Sequence, residues 1–152
     1  MREPLVARIL RYFMYAVLAV GVVMLATLPW MLDEYMKVLF DAYYTSESYR
    51  TFVIVFLEAA GIVALWVAVE LVLILHTIRR DPFVGRNVRA LRRIGALALV
   101  LAALFFAKCV RYVTFLTIIC GIVFVVCALV IFTVGVLFQK AVRYKEENEL
   151  TI

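Results

Sequence analysis

Two glutamates, Glu58 and Glu70, stand within a long apolar stretch of this 152-residue chain. An ionisable side chain at the centre of a bilayer costs about 2.5–3.5 kcal/mol on insertion scales, so it marks either an ion pair or a route for ions or protons. The two residues lie roughly 120° apart on a helix that turns about 100° per residue. We therefore consider two interpretations, structural ion pairs and a proton or cation relay.

Depth along the helix predicts different cationic partners for the two glutamates. For Glu58 they are Lys108 and Arg111, at the far end of the next apolar stretch. For Glu70 they are basic residues at the opposite boundary, namely Arg8, Arg11 and the arginines that follow Thr77. If these pairs orient the helices, replacing Glu58 by Gln weakens folding more than it alters any flux.

The remaining residues show no recognisable chemistry. His76 has no second histidine nearby, and Cys109, Cys120 and Cys127 lack metal-binding spacing, so we predict neither a metal nor a cofactor. The sequence contains no glycine-rich phosphate loop, nucleophile elbow or zinc motif. We therefore expect a protein that is not an enzyme.

Four apolar stretches must hold these residues. They cover residues 13–32, 53–76, 94–107 and 115–138. Since about 20 helical residues cross the hydrocarbon core of a bilayer, we extend the third span over its flanking basic residues to 89–108. Hydrophobic residues make up 67% of the chain and charged residues 18%, whereas a soluble domain is about a quarter charged. Length and composition thus predict an all-α, four-helix transmembrane bundle that forms one integral membrane domain over residues 1–152.

The basic residues are divided unequally between the two sides of such a bundle. Twelve of the sixteen lysines and arginines lie before the first span, in the second connection or after the fourth span, and four lie in the other two connections. The side with more basic residues in its short loops is cytoplasmic. We therefore expect a cell-membrane protein with both termini in the cytoplasm. This distribution, rather than direct binding of nucleic acid, explains the net charge of +5.

The first connection has a helical pattern of its own. Met36, Leu39, Phe40 and Tyr43 recur at helical spacing on one side of residues 33–44, and charged residues step along the other side. This pattern predicts a short external amphipathic helix on the outer membrane surface. Such a helix is either a ligand-sensing lid or a connector that rests on the interface.

Small residues recur at helical intervals in three spans, and such stripes let helix backbones approach closely in lipid. The stripes are Ala60, Ala64 and Ala68; Gly95, Ala98 and Ala102; and Gly121, Ala128 and Gly135. They favour a compact bundle. Because the second span then has a small-residue face and an acidic face, it needs either a corner position with one neighbour for each face or a second copy of the chain.

The predicted cytoplasmic side combines a basic connection with an acidic tail. We assign to a docking surface Arg79, Arg80, Arg86, Arg89, Arg92 and Arg93 of the connection, and Glu146, Glu147, Glu149, Leu150 and Ile152 of the tail. Arginines beside a membrane also attract anionic lipid headgroups. The glutamates gain from pairing with the arginines or with a cytosolic partner, and the apolar residues at the end suit a sheet edge or a groove of that partner. A solvated, frayed tail is the simpler alternative.

The same two segments resemble a known bacterial family. The likeness rests on Asp81-Pro82-Phe83-Val84, Asn87-Val88, Leu91-Arg92-Arg93-Ile94-Gly95 and Lys145-Glu146-Glu147-Asn148-Glu149-Leu150-Thr151-Ile152. They resemble the membrane proteins grouped as domain of unknown function 2975. The resemblance implies four spans, no assigned activity and no catalytic residues to carry over. It also implies genes for small helix-turn-helix regulators nearby, and hence a membrane partner for a cytosolic DNA-binding protein.

We therefore expect a non-enzymatic, multi-pass membrane protein with a regulatory or sensing role, which docks a cytosolic partner through the basic connection and the acidic tail. Two alternatives stay open. One is a small proton- or cation-coupled transporter subunit that uses Glu58 and Glu70, although the spans lack the Gly- and Pro-broken helices typical of transporter sites. The other is an immunity protein that protects the membrane from a peptide toxin.

Overall fold

A computed structural model describes residues 5–39, 47–78 and 84–150, which form four α-helices. They are α1 (Leu5–Leu39), α2 (Glu47–Ile78), α3 (Gly85–Arg111) and α4 (Phe115–Glu149). All four are long and apolar enough to cross a membrane. Even the shortest, α3 with 27 residues, is about 40 Å long at about 1.5 Å per residue, which exceeds a hydrocarbon core of about 30 Å. The prediction of an all-α chain with four apolar spans is confirmed.

Consecutive helices run antiparallel. Leu25 of α1 meets Gly61 of α2, and Gly21 meets Leu65, so residue numbers rise along one helix as they fall along the other. The same reversal holds between α2 and α3 and between α3 and α4. The starts of α1 and α3 therefore lie at the same end of the molecule as the ends of α2 and α4.

We name the two ends by what they carry. The arginine end holds the first turns of α3, with Arg86, Arg89, Arg92 and Arg93. The turn end is the opposite one, and it holds the short α3–α4 turn around Tyr112.

The helices form an open row rather than a closed bundle. Among the described residues, close approach occurs between α1 and α2, α2 and α3, and α3 and α4, and between no other pair. On α2, Gly61 and Leu65 face α1, whereas Phe56 and Glu70 face α3. Phe56 and Leu65 are nine residues apart, as are Gly61 and Glu70, and nine residues turn a helix by about 180°. α1 and α3 thus lie on opposite sides of α2, so the prediction of a compact bundle is wrong, and of the two alternatives given for α2 the corner position is not the one found.

This arrangement leaves a large apolar surface exposed. The chain exposes 11050 Å², whereas a compact soluble protein of 17.4 kDa exposes about 7,800 Å². No side chain that the structure describes in α1 is buried, and Val20, Val22 and Val23 are each more than half exposed. Lipid chains solvate such a surface, so a membrane helix needs no protein neighbour on every side.

The most extensive helix contact joins α3 and α4. The members of both predicted small-residue stripes are buried, namely Gly95, Ala98, Ala102, Gly121, Ala128 and Gly135. Space is tightest at Gly95, where a β-carbon would lie 2.8 Å from the Phe132 ring. These two stripes therefore do what the sequence predicts: they bring two backbones close together.

The third predicted stripe forms such an interface only in part. Ala68 is buried, whereas Ala64, at the centre of the stripe, is exposed. The α1–α2 contact instead uses a reciprocal arrangement in which Leu65 covers Gly21 and Leu25 covers Gly61. The prediction for α2 holds only in part because an interval of four between alanines defines a face of the helix but not what covers that face.

The helices also run past the predicted span limits. α1 continues through Pro29 to Leu39, so residues 33–39 of the predicted external helix are the last turns of α1, and residues 40–46 lie outside the described residues. Neighbouring groups can satisfy the backbone freed by a proline inside a membrane helix. α4 continues past Phe138 to Glu149, so the acidic tail is helical up to that residue.

Candidate functional site

A bidentate ion pair joins α2 to α3 near the arginine end. Arg93 Nε donates to Glu70 Oε1 at 2.7 Å, and Arg93 Nη2 donates to Glu70 Oε2 at 2.8 Å. The Glu70 side chain is 7% exposed, whereas that of Arg93 is 49% exposed. Such a pair is strong and directional, so it fixes the register of the two helices. Arg93 is one of the arginines expected as a partner of Glu70.

Polar groups of α4 lie at the same level. The neighbouring Arg92 donates from Nη2 to Gln139 Oε1 at 2.8 Å. Gln139 ends the long apolar run of α4 and is followed by Lys140. The apolar run of α3 begins after Arg93 and that of α4 ends before Gln139, so this polar layer marks the boundary of the apolar part of these two helices at the arginine end. On α2 the apolar run continues about 8 Å past Glu70, to Leu75.

A second bidentate pair ties α1 to α2 at the turn end. Arg50 donates from Nε and Nη2 to the two carboxylate oxygens of Asp33, at 2.5 and 2.6 Å. Arg50 and Glu70 are 20 residues apart on α2, which is about 30 Å and equals the thickness of the hydrocarbon core. The two charge pairs thus lie close to the two boundaries of the apolar slab.

Aromatic rings seat the α3–α4 turn on the start of α2. The Tyr112 ring lies 4.8 Å from that of Tyr49 and 5.1 Å from that of Phe52, measured between centroids. One turn deeper, Phe105 contacts Phe56 at 5.1 Å. These contacts hold the turn end of α3 against α2 without any charge.

The predicted pairing of Glu58 with Lys108 or Arg111 is wrong. Lys108 Nζ instead donates to Thr117 Oγ1 at 3.1 Å and lies 5.4 Å from the centre of the Phe56 ring. Glu58 makes no hydrogen bond or ion pair with any residue that the structure describes. The reason is direction rather than depth, because Glu58 lies about 120° around α2 from the carboxylate that faces α3.

A shallow groove opens between α2 and α3 beside the Glu70–Arg93 pair. Its volume is about 140 Å³, and it is lined by Trp66, Arg93, Ala96 and Leu97. Arg93 is the charged member of this lining. The exposed surface inside the groove is almost entirely apolar, so Arg93 contributes the hydrocarbon part of its side chain to the lining.

At the arginine end, α4 extends past the start of α3. The contacts of α3 with α4 place Gly85, the first residue of α3, roughly level with Tyr144. The last turn of α4 lies beyond that level, and Tyr144 is 67% exposed and Leu150 87% exposed. Within this segment Arg143 Nε donates to Glu147 Oε1 at 2.9 Å, an ion pair one helical turn apart.

The described part of the chain holds no group of three His, Cys, Asp or Glu side chains arranged as metal ligands. Cys109, Cys120 and Cys127 are free thiols that lie on two different helices or at their ends, and Cys127 is exposed. His76 is exposed as well. Among the described residues, the two ion pairs that join different helices lie near helix ends.

The arginines that the sequence groups into one docking surface separate in space. Arg93 faces α2 and Arg92 faces α4, whereas Arg86 and Arg89 are exposed. Three members of that surface lie outside the described residues, namely Arg79, Arg80 and Ile152. In the described tail, Glu147 accepts a hydrogen bond from Arg143 of its own helix.

Several polar contacts had not been expected. The ion pair of Asp33 and Arg50 was not predicted. Opposite charges on either side of a connection between antiparallel helices are a sequence signal for such a pair. Thr117 and Gln139 gave no such signal, because uncharged polar residues occur in spans without a fixed partner. In the structure each accepts a hydrogen bond from a cation, Thr117 from Lys108 and Gln139 from Arg92.

Comparison with known proteins gives a family for this chain. A family model described as Protein of unknown function (DUF2975) matches residues 12–152, which include all of α2, α3 and α4 and most of α1. No curated protein and no solved structure matches the chain. The resemblance carried by the two charged segments is thereby confirmed. With its four apolar helices in an antiparallel row, this chain belongs to the DUF2975 family of proteins of unknown function.

Proposed function

We propose that this protein is a multi-pass regulatory protein of the cell membrane that holds a cytosolic partner at its arginine end. The observation that carries the proposal is the projecting end of α4. This segment exposes an aromatic ring at Tyr144 and an aliphatic side chain at Leu150, separated by charged residues. Six residues turn a helix by about 240°, so the two side chains do not share a face, and Tyr144 is the anchor, because tyrosine is enriched in protein interfaces.

The chemistry of the partner follows from the charges around this segment. Glu146 and Glu147 are exposed on α4, while Arg86 and Arg89 are exposed on the start of α3. A partner with an apolar groove and charges of both signs at its rim would match that surface. A small cytosolic helix-turn-helix regulator, which the family resemblance implies, is the partner that we propose.

The proposal requires that the arginine end face the cytoplasm. Twelve of the sixteen lysines and arginines belong to segments at this end, which supports a cytoplasmic location. Since consecutive helices are antiparallel, both termini share it. In this arrangement the turn end, with the Asp33–Arg50 pair and the last turns of α1, faces outward and is where a signal would be sensed.

Photo-crosslinking tests this proposal directly. A photoreactive amino acid in place of Tyr144 is expected to capture a cytosolic DNA-binding protein in growing cells, because that side chain is exposed on the projecting helix. The matched control replaces Tyr35, which is 60% exposed but lies at the turn end. That control is expected to capture no cytosolic protein.

A deletion supplies the second measurement. Removing residues 146–152 is expected to abolish the Tyr144 crosslink and to change transcription of the genes that the captured regulator controls. If Tyr144 captures only lipid or other membrane proteins, or if the crosslink persists after the deletion, the docking proposal is wrong.

A further inference from the structure

We propose that the groove between α2 and α3 is a binding site for an anionic phospholipid. In this site the guanidinium groups of Arg93 and Arg89 hold the headgroup phosphate, and an acyl chain lies against Trp66, Ala96 and Leu97. The site does not depend on the cytosolic partner proposed above.

The hydrogen-bonding capacity of Arg93 is the first step of the argument. A guanidinium group has five N–H donors, and the contact with Glu70 uses one on Nε and one on Nη2. The other three make no hydrogen bond with any residue that the structure describes. Half of the Arg93 side chain is exposed, and the residue borders the groove, so we infer that these donors hold a phosphate at the mouth of the groove rather than inside it.

The charge of the site comes from a row of arginines on α3. Arg86, Arg89 and Arg93 are spaced by three and four residues, which places them on one face of the helix. Glu70 neutralises Arg93, but Arg86 and Arg89 are exposed and have no acidic partner among the described residues. The groove therefore opens toward a positive strip that complements an anionic headgroup.

The depth of the groove matches a lipid rather than a soluble anion. Arg93 and Gln139 lie in the polar layer at the membrane boundary, where lipid phosphates are found. Trp66 is one turn farther into the apolar slab than Glu70, and indole rings favour that interfacial depth. Ala96 and Leu97 extend the groove in the same direction along α3.

The groove also opens where lipid is present. On α2 the side chains of Trp66, Val69 and Leu73 are exposed on one face, and on α3 that of Val100 is exposed. None of the other helices covers this face, because among the described residues α1 and α4 approach only α2 and α3 respectively. An acyl chain is the apolar occupant that a membrane supplies to such a surface.

Quenching of Trp66 fluorescence by brominated lipids tests the site. The protein carries Trp30→Phe, so that Trp66 is its one tryptophan, and is reconstituted in phosphatidylcholine vesicles. Equal fractions of brominated phosphatidylglycerol and brominated phosphatidylcholine are compared. Each arginine that contacts the headgroup is expected to raise the relative binding constant of phosphatidylglycerol by about five-fold, so the anionic lipid quenches Trp66 more strongly.

Three variants separate this site from general surface charge. Arg89→Gln removes an exposed arginine and is expected to lower the preference about five-fold. The double variant Glu70→Gln with Arg93→Gln leaves the net charge unchanged, because it removes one charge of each sign, and is expected to lower the preference about five-fold, with the contribution of Arg89 retained. Lys140→Gln removes a charge at nearly the same level on α4, outside the groove, and is expected to change nothing.

Three results would overturn the proposal. They are equal quenching of Trp66 by the two brominated lipids, an unchanged preference in Arg89→Gln, and an equal loss of preference in Arg89→Gln and Lys140→Gln. The last result would mean that the lipid responds to net charge rather than to this groove.

Discussion

The two residues of the Glu70–Arg93 pair should contribute unequally to the free energy of unfolding. Arg93→Gln leaves the carboxylate of Glu70, which is 7% exposed, without its cation, and removing one partner of a buried pair costs about 3–5 kcal/mol. Glu70→Gln leaves an arginine that is half exposed and long enough to reach the headgroups. Its cost is limited to the lost charge-assisted hydrogen bonds, about 1.5–3 kcal/mol.

The double variant completes the test. With Gln at both positions no charge is buried, so we expect its cost to be no larger than that of Glu70→Gln alone. The measurement is the free energy of unfolding in bicelles, from titration with a denaturing detergent followed by circular dichroism. Equal costs for the two single variants, or a double variant as unstable as Arg93→Gln, would refute the argument from burial.

Three further predictions concern packing, the isolated acid and the open row. Gly95→Ala should lower the free energy of unfolding by about 1–3 kcal/mol, because the added β-carbon would meet a phenyl ring of α4. The control is Gly85→Ala, which has open space around it and should leave the free energy of unfolding unchanged or raise it by up to about 1 kcal/mol. Glu58→Gln should leave the free energy of unfolding unchanged or raise it by about 1 kcal/mol, because the carboxylate has no cation among the described residues. This reverses the expectation from the sequence. A clear loss of stability in the same titration would contradict it. Spin labels are attached at Val20→Cys on α1 and Val130→Cys on α4, in a chain without its native cysteines. Three interhelical steps of about 8–10 Å should separate them by more than about 20 Å in pulsed electron paramagnetic resonance. A distance near 10 Å would instead show a closed bundle.

The helices themselves could be predicted because their signal is local. Apolar runs of about 20 residues identify spans, and the structure contains all four. The limits were predicted less well, since α1 and α4 remain helical for several turns beyond their apolar runs. Backbone hydrogen bonding continues into the boundary region wherever the sequence permits, so the end of an apolar run is not the end of a helix.

The lateral arrangement could not be predicted from composition, because lipid and a neighbouring helix are equally apolar. Gly95 and Gly121 lie at a real interface, whereas Ala64, at similar spacing, is exposed. What distinguishes the α1–α2 contact is a glycine followed four residues later by a leucine on both helices, with each leucine covering the other helix's glycine. A stripe of small residues alone lacks the leucine that covers the glycine of the neighbouring helix.

The charge pairs show what depth can and cannot predict. Depth placed Glu70 level with the arginines of α3, and Arg93 is its partner. The same reasoning failed for Glu58, because two residues at one depth meet only if they also point at each other. The angular separation of the two glutamates was already present in the sequence, and it would have excluded a shared neighbour once Glu70 was assigned to α3.

Labelling of single cysteines in intact cells tests the central claim most directly, which is that the arginine end and both termini are cytoplasmic. Tyr35→Cys and Tyr144→Cys are compared in a chain without native cysteines, since both side chains are exposed and lie at opposite ends. A membrane-impermeant maleimide is expected to label Tyr35→Cys in intact cells and Tyr144→Cys only after the membrane is opened. Labelling of Tyr144→Cys in intact cells would contradict the orientation and with it the cytosolic docking surface.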